Sequence, residues 1–149
     1  MLPEVPPEIK GEIVIQPFGN INPWAPVGYI QNIVNKCIEI TGKKIFVVGN
    51  MNTPQNLQNV NYSLLKNDAP FLLSCINNAG LLLSAQSCGP VIAAAYNVPA
   101  IVWSDPTKNW HINFNSWIHY SINYDELSPV IEDSFEGLKW FLGSLKYSA

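Results

Sequence analysis

Short runs of apolar, often β-branched residues alternate along the chain with longer stretches in which apolar positions recur every three or four residues. Residues 12–16, Glu-Ile-Val-Ile-Gln, form one such run, stopped by Pro17 and Gly19 as expected of a strand buried in a parallel sheet. From 26 to 40, Val27, Ile30, Ile33, Val34, Cys37 and Ile38 share one helical face, and Gly42 suits the left-handed residue that closes such a helix. Residues 44–48, Lys-Ile-Phe-Val-Val, predict a second strand ending at Gly49, which completes a right-handed strand-helix-strand crossover.

The second half repeats the alternation. Residues 50–67 are polar and rich in Asn and Gln, with a short third strand expected at 60–63. Asp68 is expected to cap a helix over 69–78 whose residues Phe71, Leu72, Cys75, Ile76 and Ala79 lie on one face before Gly80 ends it. Residues 81–84 predict the next strand. Residues 89–96 predict a short helix with Pro90 in its first turn and Ala93, Ala94 and Ala95 small enough to let it sit close to the sheet. Residues 100–103 predict a further strand. Beyond Ser104 the aromatic and polar stretch holding Trp110, His111, Phe114, Trp117, His119 and Tyr120 has no clear period. A last amphipathic helix is expected over 127–145, from Val130, Ile131, Phe135, Leu138, Phe141 and Leu142, with Pro129 in its first turn. The pattern predicts one α/β domain over 12–149, a three-layer Rossmann-like parallel sheet with helices on both faces. The proline-rich residues 1–11 are expected to be an arm or linker on its surface.

Composition narrows what such a domain does. With 149 residues, 48% of them hydrophobic, the chain fills one core and not two. The net charge is −3, and the eight basic residues, all lysines, stand singly apart from Lys43-Lys44. No basic stripe faces a polyphosphate backbone, which argues against a nucleic-acid partner. No apolar run approaches the ~18 residues of a membrane span, and the first residues lack the basic start and apolar core of a leader, so the sequence reads as soluble and cytoplasmic. Cys37, Cys75 and Cys88 are odd in number and show no CxxC spacing, which fits reduced thiols better than a disulfide framework or a zinc site. The abundance of asparagine and the absence of arginine read as compositional bias without functional content.

In an open parallel sheet, ligands settle beyond the carboxyl ends of the strands. The strand assignments therefore single out four loops, at 17–20, 49–50, 86–90 and 104–107. In the third, the Ser87 hydroxyl and the amides of Cys88 and Gly89 open a helix, where the macrodipole favours an anion and Gly89 admits a ligand to the backbone. Two readings stand: that loop receives a phosphate, or Ser87 merely caps the helix and Gly89 serves a turn. Neither GxGxxG nor GxxxxGK[ST] occurs. Asp105 offers a hydrogen bond to a sugar hydroxyl or opens the Asp-Pro-Thr turn, and Lys108 is the one cation near that edge. His111 and His119, eight apart, have no ligand spacing, and no histidine can be tied to Cys88 as the base a thiol nucleophile needs.

The stretch 81–103, Leu-Leu-Leu-Ser-Ala-Gln-Ser-Cys-Gly-Pro-Val-Ile-Ala-Ala-Ala-Tyr-Asn-Val-Pro-Ala-Ile-Val-Trp, resembles the C-terminal domain of glycosyltransferase family 9, the lipopolysaccharide heptosyltransferases. There a strand leads into an Asp-Thr-Gly-Pro turn, a small-residue helix, a Gly-Val-Pro and the next strand. Residues 13–24, with a Pro-Phe-Gly turn and Trp24 before a helix, and 44–50, a strand ending in Val-Val-Gly, are similar to two further landmarks in the same order. The resemblance covers about residues 12–107 and implies the C-terminal half of a GT-B enzyme, binding the diphosphate of a nucleotide-activated sugar without a metal or a resident cofactor. By position it implies that Ser87, Cys88 and Gly89 face the diphosphate or sugar, that Gly19 and Asn20 line the opposite wall, and that residues after Gly49 lie near the ribose or base, with Gly49, Asn50 and Gln86 among the candidate binding residues. Asp105 and Lys108 complete the candidate set.

The sequence departs from that pattern where charge is needed. The aspartate and threonine of the family turn fall on Ser87 and Cys88, its histidine on Ile92, and Asn22-Pro23 stand where a basic residue precedes the tryptophan. Each lost group removes a donor or charge worth on the order of 2–4 kcal/mol to a transition state, so weakened or altered activity is expected. A GT-B enzyme also works between two domains, and one is present here. The expectations therefore divide between a glycosyltransferase-like domain with a missing or separate N-terminal partner and a non-catalytic α/β interaction module, homodimeric or paired with another domain. A flavodoxin-like binder is the third, poorly served by a first-strand loop without a Ser/Thr cluster.

Overall fold

The computed structural model describes residues 1–18, 26–85, 87–104 and 117–121, Ser104 and 117–121 through their backbone. Four strands fall where the apolar runs place them: β1 (Ile13–Gln16), β2 (Ile45–Val47), β3 (Leu81–Ala85) and β4 (Ala100–Ser104). A fifth, β5 (Trp117–Ser121), lies inside the aromatic stretch for which the pattern predicts nothing. Every pairing is parallel, in the order β2-β1-β3-β4-β5.

The third strand expected at 60–63 contracts to one parallel bridge, Phe46 opposite Asn61. Asn61 N–H donates to Ile45 O at 2.9 Å, and Val47 N–H donates to Asn61 O at 2.9 Å. No crossover helix precedes it, so nothing holds more residues in register. With Asn61 counted as a vestigial strand, the order becomes that of the doubly wound Rossmann sheet, 3-2-1-4-5-6, and not the flavodoxin-like 2-1-3-4-5 of the named strands alone.

Helices cover both faces because both faces of each strand are apolar. On one side Ile13, Ile15, Ile45, Val47, Leu81, Leu83, Ile101 and Trp103 pack with Tyr29, Ile30, Ile33, Val34 and Cys37 of α1 (Val27–Thr41). On the other, Val14, Phe46, Leu82, Ala100 and Val102 meet Cys75 and Ile76 of α2 (Ala69–Asn78) and Ala93 of α3 (Cys88–Ala95). The helix ends follow local chemistry. Gly42 takes φ 64° and donates to Ile38 O at 2.8 Å, closing α1. Asp68 Oδ1 accepts from Phe71 N–H at 3.1 Å, capping α2. Ala79, not Gly80, is the C-cap of α2; Gly80 N–H donates to Glu12 O at 2.8 Å, carrying the chain straight into β3.

The proline-rich arm is fastened to the domain. It forms a 3-10 turn over Pro7–Ile9, Ile9 is wholly buried in the α2–α3 face, and the Ser74 hydroxyl donates to Pro3 O. The helix expected over 127–145 lies outside the described residues.

Candidate functional site

The carboxyl ends of β1, β2 and β3 lie side by side, and the loops that leave them enclose a small cleft of about 80 Å³. Gln16, Pro17 and Phe18 come from β1, Val48, Gly49, Asn50 and Thr53 from β2, and Ser87 and Cys88 from the start of α3. The chain runs from β1 to β2 on one side and returns to β3 on the other. The cleft thus sits where the strand order reverses, the position at which doubly wound sheets hold ligands.

Of the residues singled out from sequence, Gly49, Asn50, Ser87 and Cys88 line this cleft. Gly89 is adjacent but buried. Gly19, Asn20, Gln86, Asp105 and Lys108 lie outside the described residues. Pro17 and Phe18, from the first of the four loops, also line it, and Gln16, Val48 and Thr53 complete the lining without having been singled out. The signal for Gln16 was present, because it is the polar residue that ends an apolar strand immediately before a proline.

The loop that forms the wall after β2 is held in place by asparagines and glutamines. Gly49 takes φ 142°, a backbone region in which a side chain is strained, and a Cβ there would lie 2.8 Å from Thr53 Oγ1. Downstream, Asn50 Oδ1 accepts from Asn52 N–H, Asn67 Oδ1 from Met51 N–H, and Asn61 Oδ1 from Ser63 N–H. Gln31 of α1 grips the same segment twice, donating to Gln58 O at 2.9 Å and accepting from Gln58 N–H at 2.7 Å. The Tyr62 hydroxyl accepts from Leu57 N–H at 2.8 Å. The carboxamides read from composition as mere bias thus satisfy backbone groups that a crossover helix would otherwise have paired.

At α3 the geometry departs from both sequence readings. Ser87 occupies the N-cap position with extended backbone, yet its side chain caps nothing. Its hydroxyl donates instead to Gln16 Oε1 at 2.9 Å. Gln16 Nε2 points at Cys88 Sγ, 3.8 Å away. The space that a side chain on Gly89 would fill belongs to the same carboxamide: an ideal Cβ would lie 2.1 Å from Gln16 Oε1 and 3.3 Å from Ser84 Oγ. Gly89 therefore admits Gln16, and the first turn of α3 is closed by the protein's own side chain. Pro90 has no amide hydrogen, so Cys88 and Gly89 carry the N–H groups of that turn.

Every described residue lining the cleft is uncharged, and their polar groups are hydroxyls, a thiol and carboxamides. Among the described residues no three His, Cys, Asp or Glu side chains gather to hold a metal. Cys37 and Cys75 are buried away from the cleft, and burial pushes their thiols up to about 12 and about 11. Cys88 is the exposed cysteine of the three. No described helix is long and apolar enough to cross a membrane.

No protein-family model and no curated protein matches the sequence. Solved structures do match the fold. The Escherichia coli heptosyltransferase WaaC with ADP has a TM-score of 0.70 at 15% identity, over 95% of this chain and 46% of that one. The same enzyme with ADP-2-deoxy-2-fluoro heptose gives 0.69 at 14%, over 94% and 45%. A family 9 glycosyl transferase from Veillonella parvula DSM 2008 gives 0.68 at 12%, over 92% and 47%. This chain spans less than half the length of each. Over that span it has the parallel α/β fold found in the GT-B glycosyltransferases of family 9, the heptosyltransferases among them.

Proposed function

We propose that the domain is the nucleotide-sugar-binding half of a GT-B glycosyltransferase, holding part of an activated sugar in the cleft over β1 and β3. One observation carries this reading: three adjacent parallel strands and the start of α3 deliver their loops to one cleft at the point where strand order reverses. Within the proposal, Ser87 and Cys88 serve the diphosphate or sugar, and Gly49 and Asn50 the ribose or base. Gly19 and Asn20 keep the role that the family resemblance implies for them, Gln86, Asp105 and Lys108 stay candidates for the sugar or phosphate from their places in the sequence, and Gly89 acts by making room for Gln16. The heptosyltransferase WaaC, similar in fold, was solved with ADP and with an ADP-heptose analogue, which makes adenine nucleotides the first to try.

The size and chemistry of the cleft define what else is needed. At about 80 Å³ it is far below the roughly 300–1,000 Å³ of a complete small-molecule pocket. Its described lining carries no positive charge to stabilise a departing diphosphate. A second wall bearing the acceptor site and the missing charge therefore completes the enzyme, either as the rest of a longer chain or as a separate polypeptide. Three unpaired thiols support a reducing, cytoplasmic setting for this proposed activity.

Isothermal titration calorimetry and saturation-transfer NMR against ADP-, UDP-, GDP- and CMP-sugars test the reading. Binding of at least one, with resonance shifts at Gly49, Asn50, Ser87 and Cys88, is expected. Silence toward all four classes refutes it. A tight homodimer indifferent to every nucleotide would establish the interaction module instead.

A further inference from the structure

The residue with the most consequential contacts in the cleft is one that no motif marks. Gln16 ends the inner strand β1, opposite Ser84 of β3 in the sheet register. Its carboxamide crosses the strand boundary to Ser87, and its oxygen lies so close to Gly89 that a side chain there would have to displace it. We infer that Gln16 is a selectivity gate of the proposed site. In the ligand-free protein its carboxamide oxygen holds the place beside Ser87 and Gly89 that an acidic oxygen of the ligand takes, and it turns aside to admit it. The inference rests on the nucleotide-sugar reading above.

The chemistry of the pair gives the gate its preference. The Ser87 hydroxyl has one proton to donate, and Gln16 Oε1 has it at 2.9 Å. A neutral ligand oxygen competes with a neutral amide oxygen on equal terms. A phosphate oxygen forms the stronger, charge-assisted bond and displaces the amide. Among the described residues, what holds the gate shut on its other side is weak, a 3.8 Å approach of Nε2 to the Cys88 sulfur. Once turned, the carboxamide leaves the Ser87 hydroxyl to the anion, so the gate favours charged ligands over neutral ones.

The test uses the whole chain, the variants Gln16→Ala and Gln16→Glu, and ADP and UDP as probes, with thermal melting to establish folding. Cys88, exposed and in contact with Gln16, gives a second readout, since Cys37 and Cys75 are buried and silent toward Ellman's reagent in the folded protein. Opening the gate removes one competing hydrogen bond, so Gln16→Ala is expected to bind the diphosphate about 5-fold more tightly than the wild type. Its Cys88 should also react at a changed rate, because the Nε2 group beside the sulfur is gone. Gln16→Glu, a fixed negative charge at the same place, is expected to bind at least about tenfold more weakly while melting like the wild type. Binding by the wild type with no gain in Gln16→Ala overturns the gate and leaves the nucleotide-sugar reading standing. An unchanged Cys88 rate in Gln16→Ala also overturns the gate. Absence of ADP and UDP binding to the wild type and Gln16→Ala alike overturns both.

Discussion

Replacing Gly89 by alanine, with and without Gln16, measures the contact on which the geometry of the α3 turn depends. The added methyl would lie 2.1 Å from Gln16 Oε1, well over 1 Å inside the roughly 3.5 Å at which such atoms rest. The obstructing atom is the tip of a flexible side chain, so the carboxamide moves and the helix stays. That movement breaks the hydrogen bond from Ser87, worth about 1 kcal/mol net. Against it, alanine in a helix is favoured over glycine by about 0.5–1 kcal/mol, and Gly89 does not occupy the positive-φ region that would forbid it. The two terms nearly cancel, so Gly89→Ala alone should change stability by less than about 0.5 kcal/mol. In a Gln16→Ala background no bond remains to break, and the same substitution should stabilise by about 0.5–1 kcal/mol. The double-mutant cycle, read from urea unfolding at constant m-value, should show a coupling of about 1 kcal/mol. Additivity within about 0.3 kcal/mol would refute the contact. A loss above about 2 kcal/mol for Gly89→Ala alone would show the carboxamide fixed and not able to turn.

Three further outcomes follow from residues away from the cleft. The contribution of the Cys37 thiol to stability should be constant below about pH 9, where it is protonated folded or unfolded, and then be lost as pH rises toward about 12, because only the unfolded thiol ionises. The slope is on the order of 1 kcal/mol per pH unit, Cys75 adds a second such contribution ending near pH 11, and a urea midpoint constant from pH 9 to 11 would contradict the burial of these thiols. Asp68→Ala should lower stability by about 1 kcal/mol through loss of the α2 cap, with Asp68→Asn recovering most of it in the same denaturation assay. Gln31→Ala removes both bonds to Gln58 and should cost about 1–2 kcal/mol, with faster amide exchange confined to residues 50–60 while α1 keeps its protection.

Local pattern was enough to determine four strands and three helices. A strand with both faces buried has to be a short apolar run, and a helix covering a sheet has to repeat its apolar residues every three or four positions, whatever the rest of the chain does. Gly42 and Asp68 were legible for the same reason, since a left-handed C-cap and a side-chain N-cap are decided within a few residues. The strand β5 was not legible. Trp117–Ser121 pairs along the length of β4, and that pairing is what makes the segment a strand.

The Asn-rich segment 50–67 shows the limit from the other side. Its sequence suggested a third strand, but register needs a connection that holds the segment alongside β2. With carboxamides fastening a loop in place of a crossover helix, one residue, Asn61, reached the sheet.

The cleft divides in the same way. That residues 86–90 would open a helix at a ligand-facing edge follows from strand, turn and small-residue helix in succession. What Ser87 and Gly89 contact does not, because their partner stands 71 positions from Ser87, at the end of another strand. Hydrophobic periodicity records whether a residue is buried, and that much the sequence alone determined. Which strand ends become neighbours depends on strand order and crossover, properties of the folded sheet as a whole, and only those brought the Gln16 carboxamide onto the first turn of α3.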